Sequence, residues 1–96
     1  MKILFITGSR GEYGYIRPIL KLIEKSTSFE YEICVTNMHL LSSYGRSLKE
    51  FESDGFAVKH KIYMSYDEYN YTTQIKSLGS FLSSLADILE NSRPEL

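Results

Sequence analysis

The sequence predicts an α/β fold, a parallel sheet covered by helices, with its elements in the order β-α-β-α-β-α. Three observations support this prediction. Residues 2–7 form a nearly continuous apolar run, which is typical of a strand buried on both faces. Strand-like and helix-like patterns then alternate, as in the half-unit of a doubly wound sheet with right-handed crossovers. The last segment, 72–91, carries one apolar stripe at helical spacing.

The first half of the chain is predicted to hold a strand, a helix and a second strand. After the strand at 2–7, apolar residues recur at helical spacing between 15 and 25. Pro18 is tolerated there if it falls in the first turn, where its missing N–H has no intrahelical partner. Residues 29–36 alternate and then become apolar, which predicts the second strand.

The second half continues the alternation. A short amphipathic helix is predicted at 44–53, with Asp54-Gly55 as its stop, and residues 56–63 alternate as a third strand. The final helix should end at Arg93-Pro94. Since a fourth strand is expected to begin there, we predict that the 96 residues form a partial domain, truncated before that strand and without a second domain.

Composition excludes several classes of function. The net charge is −1 and the basic residues are scattered, so no nucleic-acid partner is expected. No apolar run approaches the ~20 residues of a membrane span, and the N-terminus is too short for a secretory signal, so a cytoplasmic chain is predicted. Cys34 has no disulfide partner and is predicted to be a buried structural thiol. A metal site and a bound cofactor are not expected.

The stretch ITGSRGEYG places glycines at 8, 11 and 14 directly after the first strand. Arg10 occupies the position of the second glycine of a dinucleotide-binding fingerprint, and the acid expected after the second strand is missing. A P-loop fails too, because no Gly-Lys-Ser/Thr follows. What remains is one guanidinium, suited to bidentate contact with a phosphate, and the carboxylate of Glu12. The alternative is a local surface ion pair.

Two histidines and a group of tyrosines could belong to a binding site, but each also has a purely structural interpretation. His39 follows the second strand at the same edge of the sheet as the glycine-rich loop, but the pattern by itself favours an exposed or capping histidine. His60, in the alternating KHK of the third strand, is predicted to lie on a solvated face. The tyrosines at 63–71 are predicted to pack a loop against the sheet, since their acidic neighbours do not suit base stacking.

Three motifs resemble one enzyme family. The run GSRGEYGYIRPIL at 8–20 is similar to the amino terminus of the hydrolysing UDP-N-acetylglucosamine 2-epimerases of sialic acid biosynthesis. The run VTNMHLLSSYG at 35–45 and the helix end Asp54-Gly55-Phe56 match the same family. The non-hydrolysing branch lacks the Glu-Tyr-Gly found here. Asn37 departs from the family, which usually has glycine there.

The resemblance implies a GT-B type protein, two Rossmann-like halves with the sugar nucleotide between them. The family reaction removes the C2 proton of UDP-GlcNAc, or of a UDP-diacetamido sugar, and expels UDP. Water then adds to the glycal to give the free 2-epimer. By motif, Arg10 would contact UDP, while Ser9, Glu12 and Tyr13 would shape the floor of the loop. His39 would line the cleft near the sugar.

The same resemblance places the acid/base carboxylates beyond Leu96, so no catalytic residue is expected within the chain. The isolated fragment is predicted to be inactive, to bind UDP weakly at best and to form a homo-oligomer, because an uncovered strand edge and apolar helix face favour association. The alternative is a small, non-catalytic Rossmann-like module for nucleotide binding or protein interaction. A nicotinamide or flavin oxidoreductase fragment is disfavoured by Arg10.

Overall fold

Three parallel strands form a sheet in the order β1-β2-β3, with one helix after each strand. The structure is a computed structural model that describes residues 1–8, 10–36, 46–62 and 71–96, without the side chains of residues 10 and 46–48. The predicted α/β class is therefore confirmed. The elements are β1 (Lys2–Thr7), α1 (Arg10–Glu24), β2 (Glu30–Thr36), α2 (Arg46–Ser53), β3 (His60–Ile62) and α3 (Tyr71–Ser92).

The end of the chain lies along the free edge of β1. The N–H of Leu96 donates to the carbonyl of Lys2 (3.3 Å), and the N–H of Leu4 donates to the carbonyl of Leu96 (2.9 Å). These two bonds flank Ile3, which is the pattern of a parallel partner. Across the sheet, the order is therefore β3, β2, β1 and then residue 96.

The two faces of the sheet carry different helices. Side chains alternate along a strand, so Ile33 and Val35 of β2 point to one face and Glu32 to the other. Ile33 and Val35 belong to the main hydrophobic cluster with residues of α1 and α2, whereas the Ser92 hydroxyl of α3 donates to Glu32 (2.7 Å). Right-handed crossovers require this arrangement, because the chain steps from β1 to β3 in one direction and then returns past β1.

The main hydrophobic cluster lies between β2 and the pair of helices α1 and α2. The ring of Tyr13 packs on that of Phe51 with a centroid separation of 4.0 Å. Both rings are buried, and Phe51 is fully inaccessible to solvent. The buried members of the cluster are Tyr13, Leu20, Ile33, Val35, Phe51 and Phe56.

Helix α2 ends where the Asp-Gly pair predicts. Gly55 has a φ of 82°, the left-handed conformation that glycine adopts without strain. The N–H of Gly55 donates to the carbonyl of Glu52, and that of Phe56 donates to the carbonyl of Phe51. This is a Schellman motif, whose usual hydrophobic contact is provided here by the buried rings of Phe51 and Phe56.

Two predicted boundaries differ from the observed ones. Helix α1 begins at Arg10 rather than at 15, so glycines 11 and 14 are helical and Pro18 lies inside the helix, not in its first turn. Of the described residues in the predicted strand 56–63, those at 60–62 form the strand, and Phe56 belongs to the helix cap instead. The predictions for α3 and for the strand at 2–7 are confirmed to within one residue.

Candidate functional site

The carboxyl edge of the sheet is where this topology can hold a ligand. In open α/β sheets, ligands bind outside the carboxyl ends of the strands, where consecutive crossovers leave to opposite faces. Here that point lies between β1 and the chain at residue 96, since α1 covers one face and α3 the other. The first turn of α1 follows β1 after Gly8 and therefore borders this crevice.

The acid of the glycine-rich stretch stabilises the beginning of α1. The N–H of Gly8 donates to Oε2 of Glu12 at 2.6 Å. Glu12 is the acidic residue of the first helical turn, where a carboxylate interacts favourably with the helix dipole and can satisfy a free N–H near the helix start. This bond gives a physical reason for the early start of the helix at Arg10.

Tyr13 belongs to the hydrophobic core and also lines a surface pocket together with Arg17 and Asp54. Its side chain is 3% exposed, and its hydroxyl donates to Oδ2 of Asp54 at 2.5 Å. Nη2 of Arg17 donates to the other oxygen of the same carboxylate at 2.9 Å. Burial and the hydrogen bond to Asp54 both raise the pKa of the Tyr13 phenol. Tyr13 thus connects the first turn of α1 to the end of α2.

Ser9 and His39 lie outside the described residues, as do residues 63–70 of the predicted tyrosine loop. Tyr71, the last of those tyrosines, begins α3 and is 87% exposed, so the predicted packing against the sheet is wrong for this residue. Arg10 begins α1, but its side chain is not among those described. In the first turn of α1, Glu12 is bonded to Gly8 and Tyr13 to Asp54. The substrate-binding roles of Ser9, Arg10, Glu12, Tyr13 and His39 stay predictions.

Two residues near this edge were not singled out from the sequence as site residues. Asp54 was predicted to be part of a helix stop and of a family motif, but its side chain was given no role, because its partner Tyr13 is 41 positions away. Thr36 ends β2, is 5% exposed, and its Oγ1 has no hydrogen-bond partner among the described residues. A buried hydroxyl without a partner at a ligand-binding edge is a candidate for ligand contact. In the sequence, the signal that could have identified Thr36 is its position as a polar residue at the end of an apolar strand.

The prediction for His60 was wrong. Its Nε2 lies 2.8 Å from Oε1 of Glu32, and its side chain is only 17% exposed. The alternating KHK pattern indicated a solvated strand face, but β3 pairs with β2 so that His60 faces the α3 side, beside Glu32. Only the strand register could place this carboxylate next to the histidine.

Glu32 is the centre of a charged cluster at the amino half of the sheet, away from the carboxyl edge. Its carboxylate is 7% exposed and also accepts from Nζ of Lys2 at 2.8 Å and Nζ of Lys59 at 3.1 Å. Burial alone raises the pKa of Glu32, but the hydrogen bonds from Lys2, His60, Ser92 and Lys59 outweigh it and hold the pKa well below its usual range. This cluster joins β1, β2, β3 and α3.

Cys34 lies two residues after Glu32 on β2 and therefore faces the same side of the sheet. The prediction of a buried structural thiol is confirmed, since Cys34 is inaccessible to solvent and burial raises its pKa to about 11. At neutral pH such a thiol stays protonated and is a poor nucleophile.

Comparison with known proteins identifies relatives along almost the whole chain. It is 30% identical over 95 residues to the UDP-N,N'-diacetylbacillosamine 2-epimerase (hydrolyzing) of Legionella pneumophila, covering 99% of this chain and 25% of that protein. It is 33% identical over 98 aligned positions to the UDP-N-acetylglucosamine 2-epimerase of Neisseria meningitidis, covering 93% of this chain and 24% of that protein. The chain is a homologue of the hydrolysing UDP-GlcNAc 2-epimerases.

The fold of this epimerase homologue agrees with a solved structure. The crystal structure of UDP-GlcNAc 2-epimerase from Neisseria meningitidis bound to UDP-GlcNAc superimposes with a TM-score of 0.73 at 20% identity, covering 99% of this chain and 24% of that one. The likeness supports the Rossmann-like half of a GT-B fold. The chain thus spans about a quarter of the length of the relatives it matches. No family model matches it.

Within the described ranges, no helix has both the length and the hydropathy needed to cross a lipid bilayer.

Proposed function

We propose that this chain is the amino-terminal portion of an enzyme that hydrolyses and epimerises a UDP-sugar at C2. The substrate would be UDP-GlcNAc or a UDP-diacetamido sugar, and the products UDP and the free 2-epimer, formed by elimination of UDP and hydration of the glycal. The observation that carries the proposal is homology along nearly the whole chain to two UDP-sugar 2-epimerases, of which the Legionella pneumophila enzyme is named as hydrolysing.

The first turn of α1 is the proposed binding site for the diphosphate. The N-terminus of a helix carries partial positive charge and free N–H groups, and it borders the crevice at the switch point of the sheet. The guanidinium of Arg10, at the first position of α1, adds a full charge. Negative charge grows on the leaving UDP as the bond to the sugar breaks, so a cation held there stabilises the transition state.

The remaining residues have supporting roles in this proposal. Ser9, Glu12 and Tyr13 shape the floor of the loop, and His39 lines the cleft near the sugar. The carboxylate of Glu12 would repel a diphosphate if it pointed into the crevice. Its bond to the N–H of Gly8 instead uses that charge to hold the loop that leads into α1.

The proposal predicts the effect of removing one guanidinium. In the full-length product of the reading frame that encodes these residues, Arg10→Ala is expected to lower kcat/KM for UDP release by about 100-fold or more. The measurement is UDP release from UDP-GlcNAc and from a UDP-diacetamido sugar, with the freed sugar identified. Arg93→Ala removes an arginine that is 77% exposed at the far end of α3, and it should change the rate little.

The outcome also separates the proposal from its alternative. The 96-residue chain by itself is expected to release no UDP, because the acid/base groups are assigned to the region beyond Leu96. A full-length product that binds UDP but turns over neither sugar nucleotide would instead support a non-catalytic nucleotide-binding module. Wild-type turnover by Arg10→Ala would contradict the role of the guanidinium.

We further propose that the chain associates with a second copy of itself through α3. Four apolar side chains of this helix, each between 43% and 71% exposed, form one stripe: Ile75, Leu78, Leu82 and Leu89. Their spacing places them on one face of the helix, and an exposed apolar stripe of this kind favours association. A second copy supplies a matching stripe without any other partner.

Sedimentation of the 96-residue chain tests this association. The wild-type chain is expected to sediment as a dimer or a larger species, and Leu78→Lys with Leu82→Lys is expected to shift it to the monomer. Leu22→Lys is the matched control, since Leu22 is 68% exposed on α1, away from the stripe. A wild-type monomer at high concentration would contradict the proposal, as would an equal shift caused by Leu22→Lys.

A further inference from the structure

Asp54 receives two side chains of α1 on its two carboxylate oxygens. The Tyr13 hydroxyl donates to Oδ2 at 2.5 Å, and Nη2 of Arg17 donates to Oδ1 at 2.9 Å. Tyr13 and Arg17 are four residues apart and therefore lie on the same side of α1. Asp54 directly follows α2, so this three-residue cluster joins the start of α1 to the end of α2.

The cluster is layered from the core outward. The Tyr13 side chain is 3% exposed and rests on Phe51, the Asp54 side chain is 18% exposed, and that of Arg17 is 46% exposed. Arg17 therefore covers the carboxylate on the solvent side, while the tyrosine hydroxyl approaches it from the core. Because a hydrogen bond to an ionised partner is shorter and stronger than a neutral one, the Tyr13–Asp54 bond is well suited to hold a fixed position.

The Asp54 end of this bond is itself held firmly. Asp54 occupies the cap position of the Schellman motif, between the last residue of α2 and Gly55. The N–H of Asp54 donates to the carbonyl of Glu50 at 3.0 Å. The carboxylate therefore projects from a backbone that the cap and the buried rings of Phe51 and Phe56 keep in place.

The Tyr13 end of the bond belongs to the turn that borders the proposed diphosphate site. Tyr13 is three residues after Arg10 in one helix, so fixing the tyrosine also fixes the backbone of the arginine. Glu12, next to Tyr13, binds the N–H of Gly8 on the other side of the turn. The first turn of α1 is thereby bonded to the residue after β1, Gly8, and to the residue after α2, Asp54.

We propose that Asp54 is a positioning residue, which acts through the Tyr13 hydroxyl to set the first turn of α1, and with it Arg10, against the diphosphate of the UDP-sugar. Arg17 screens the carboxylate from water. The inference rests on the proposed function, because it assigns a purpose to the position of Arg10. It adds a residue that does not touch the substrate but determines how well the helix start receives it.

The chain contains a matched control for the loss of this hydroxyl. The Tyr31 hydroxyl donates to Oε1 of Glu24 at 2.9 Å, and Glu24 is the last residue of α1. Tyr13→Phe and Tyr31→Phe therefore each remove one tyrosine–carboxylate hydrogen bond from the same helix. One bond lies at the diphosphate end and the other at the opposite end.

The test compares these variants in the full-length product, with UDP as the binding probe and UDP-GlcNAc as the substrate. Tyr13→Phe is expected to weaken UDP binding and raise KM by about tenfold, since small displacements of a binding group reduce affinity strongly. Tyr31→Phe is expected to stay within about twofold of the wild type. Melting temperatures identify any variant that is incompletely folded. The affinities are measured at a temperature below the melting temperature of every variant.

Three further variants distinguish positioning from general stabilisation. Asp54→Asn keeps an acceptor for the Tyr13 hydroxyl and is expected to retain most of the affinity, whereas Asp54→Ala should behave like Tyr13→Phe. In an Arg10→Ala background, Tyr13→Phe should add less than about a twofold loss, because the two residues act through the same contact.

Several results would overturn the inference. Equal losses of affinity in Tyr13→Phe and Tyr31→Phe would show that the bond only stabilises the helix. Independent, multiplicative losses in the Arg10→Ala background would show that Tyr13 does not act through Arg10. Wild-type UDP affinity in Arg10→Ala alone would contradict the proposed site and this inference together. A loss in Arg10→Ala without one in Tyr13→Phe would refute the inference alone.

Discussion

Replacing Phe51 with alanine is expected to lower the free energy of unfolding by about 3–5 kcal/mol. Phe51 has no solvent-accessible surface, and its ring packs on Tyr13 with centroids 4.0 Å apart. Its backbone carbonyl also accepts the N–H of Phe56 in the Schellman motif, so the side chain and the helix cap share one position. Removing the ring leaves a cavity where α1, α2 and β2 meet.

The size of this effect is large for a chain of 96 residues. Domains of this length have a net stability of about 5–15 kcal/mol, so the substitution removes a large part of it. Each kcal/mol shifts the melting temperature by about 4–8 °C at this size. Urea unfolding followed by circular dichroism measures the change. Leu22→Ala, at a residue 68% exposed on α1, is the control, and an equal loss there would contradict the assignment of Phe51 to the core.

Replacing Glu32 with glutamine is expected to lower the free energy of unfolding by about 3 kcal/mol at neutral pH. Glutamine has the same shape, but its amide places a donor where the carboxylate accepts from the Nζ of Lys2 and Lys59. Lys59 is 61% exposed and can turn to water, whereas Lys2 and His60 are held on strands beside the altered side chain.

The pH dependence of the free energy of unfolding provides a second test of the role of Glu32. The folded-state pKa of Glu32 is held below its usual range, so the carboxylate stabilises the fold fully above the unfolded value of about 4.3. That stabilisation is lost as the pH falls below this value towards the folded pKa. Urea unfolding between pH 6 and pH 3 should therefore show a smaller loss of stability in Glu32→Gln than in the wild type.

The control for the charged cluster is a glutamate on the same strand. Glu30 is exposed at the start of β2, and Glu30→Gln should change the free energy of unfolding by less than about 0.5 kcal/mol. Parallel stability curves for Glu32→Gln and the wild type down to pH 3 would show that Glu32 does not titrate with a lowered pKa. They would contradict the conclusion that the hydrogen bonds of the cluster stabilise the ionised carboxylate.

Local patterns in the sequence predicted most of the elements and part of the candidate site. The apolar run at 2–7, the stop at Asp54-Gly55 and the stripe of the last helix are local signals, and the structure confirms each. The start of α1 was missed because the glycines indicated a loop. Its deciding interaction, the bond between Gly8 and Glu12, joins residues within that apparent loop. The roles of Arg10 and His39 were predicted by motif and stay predictions.

The sequence by itself determined the order of the elements, the α/β class and the resemblance to the hydrolysing epimerases, because periodicity and motifs are read along the chain. The tertiary structure alone decided which side chains of distant segments meet. His60 joins Glu32 across 28 positions and Tyr13 joins Asp54 across 41. Such pairs depend on the register of neighbouring strands and on the face to which each crossover returns. No local pattern contains that information, so the sequence assigned no role to the side chains of Glu32 and Asp54, which join distant segments in the structure.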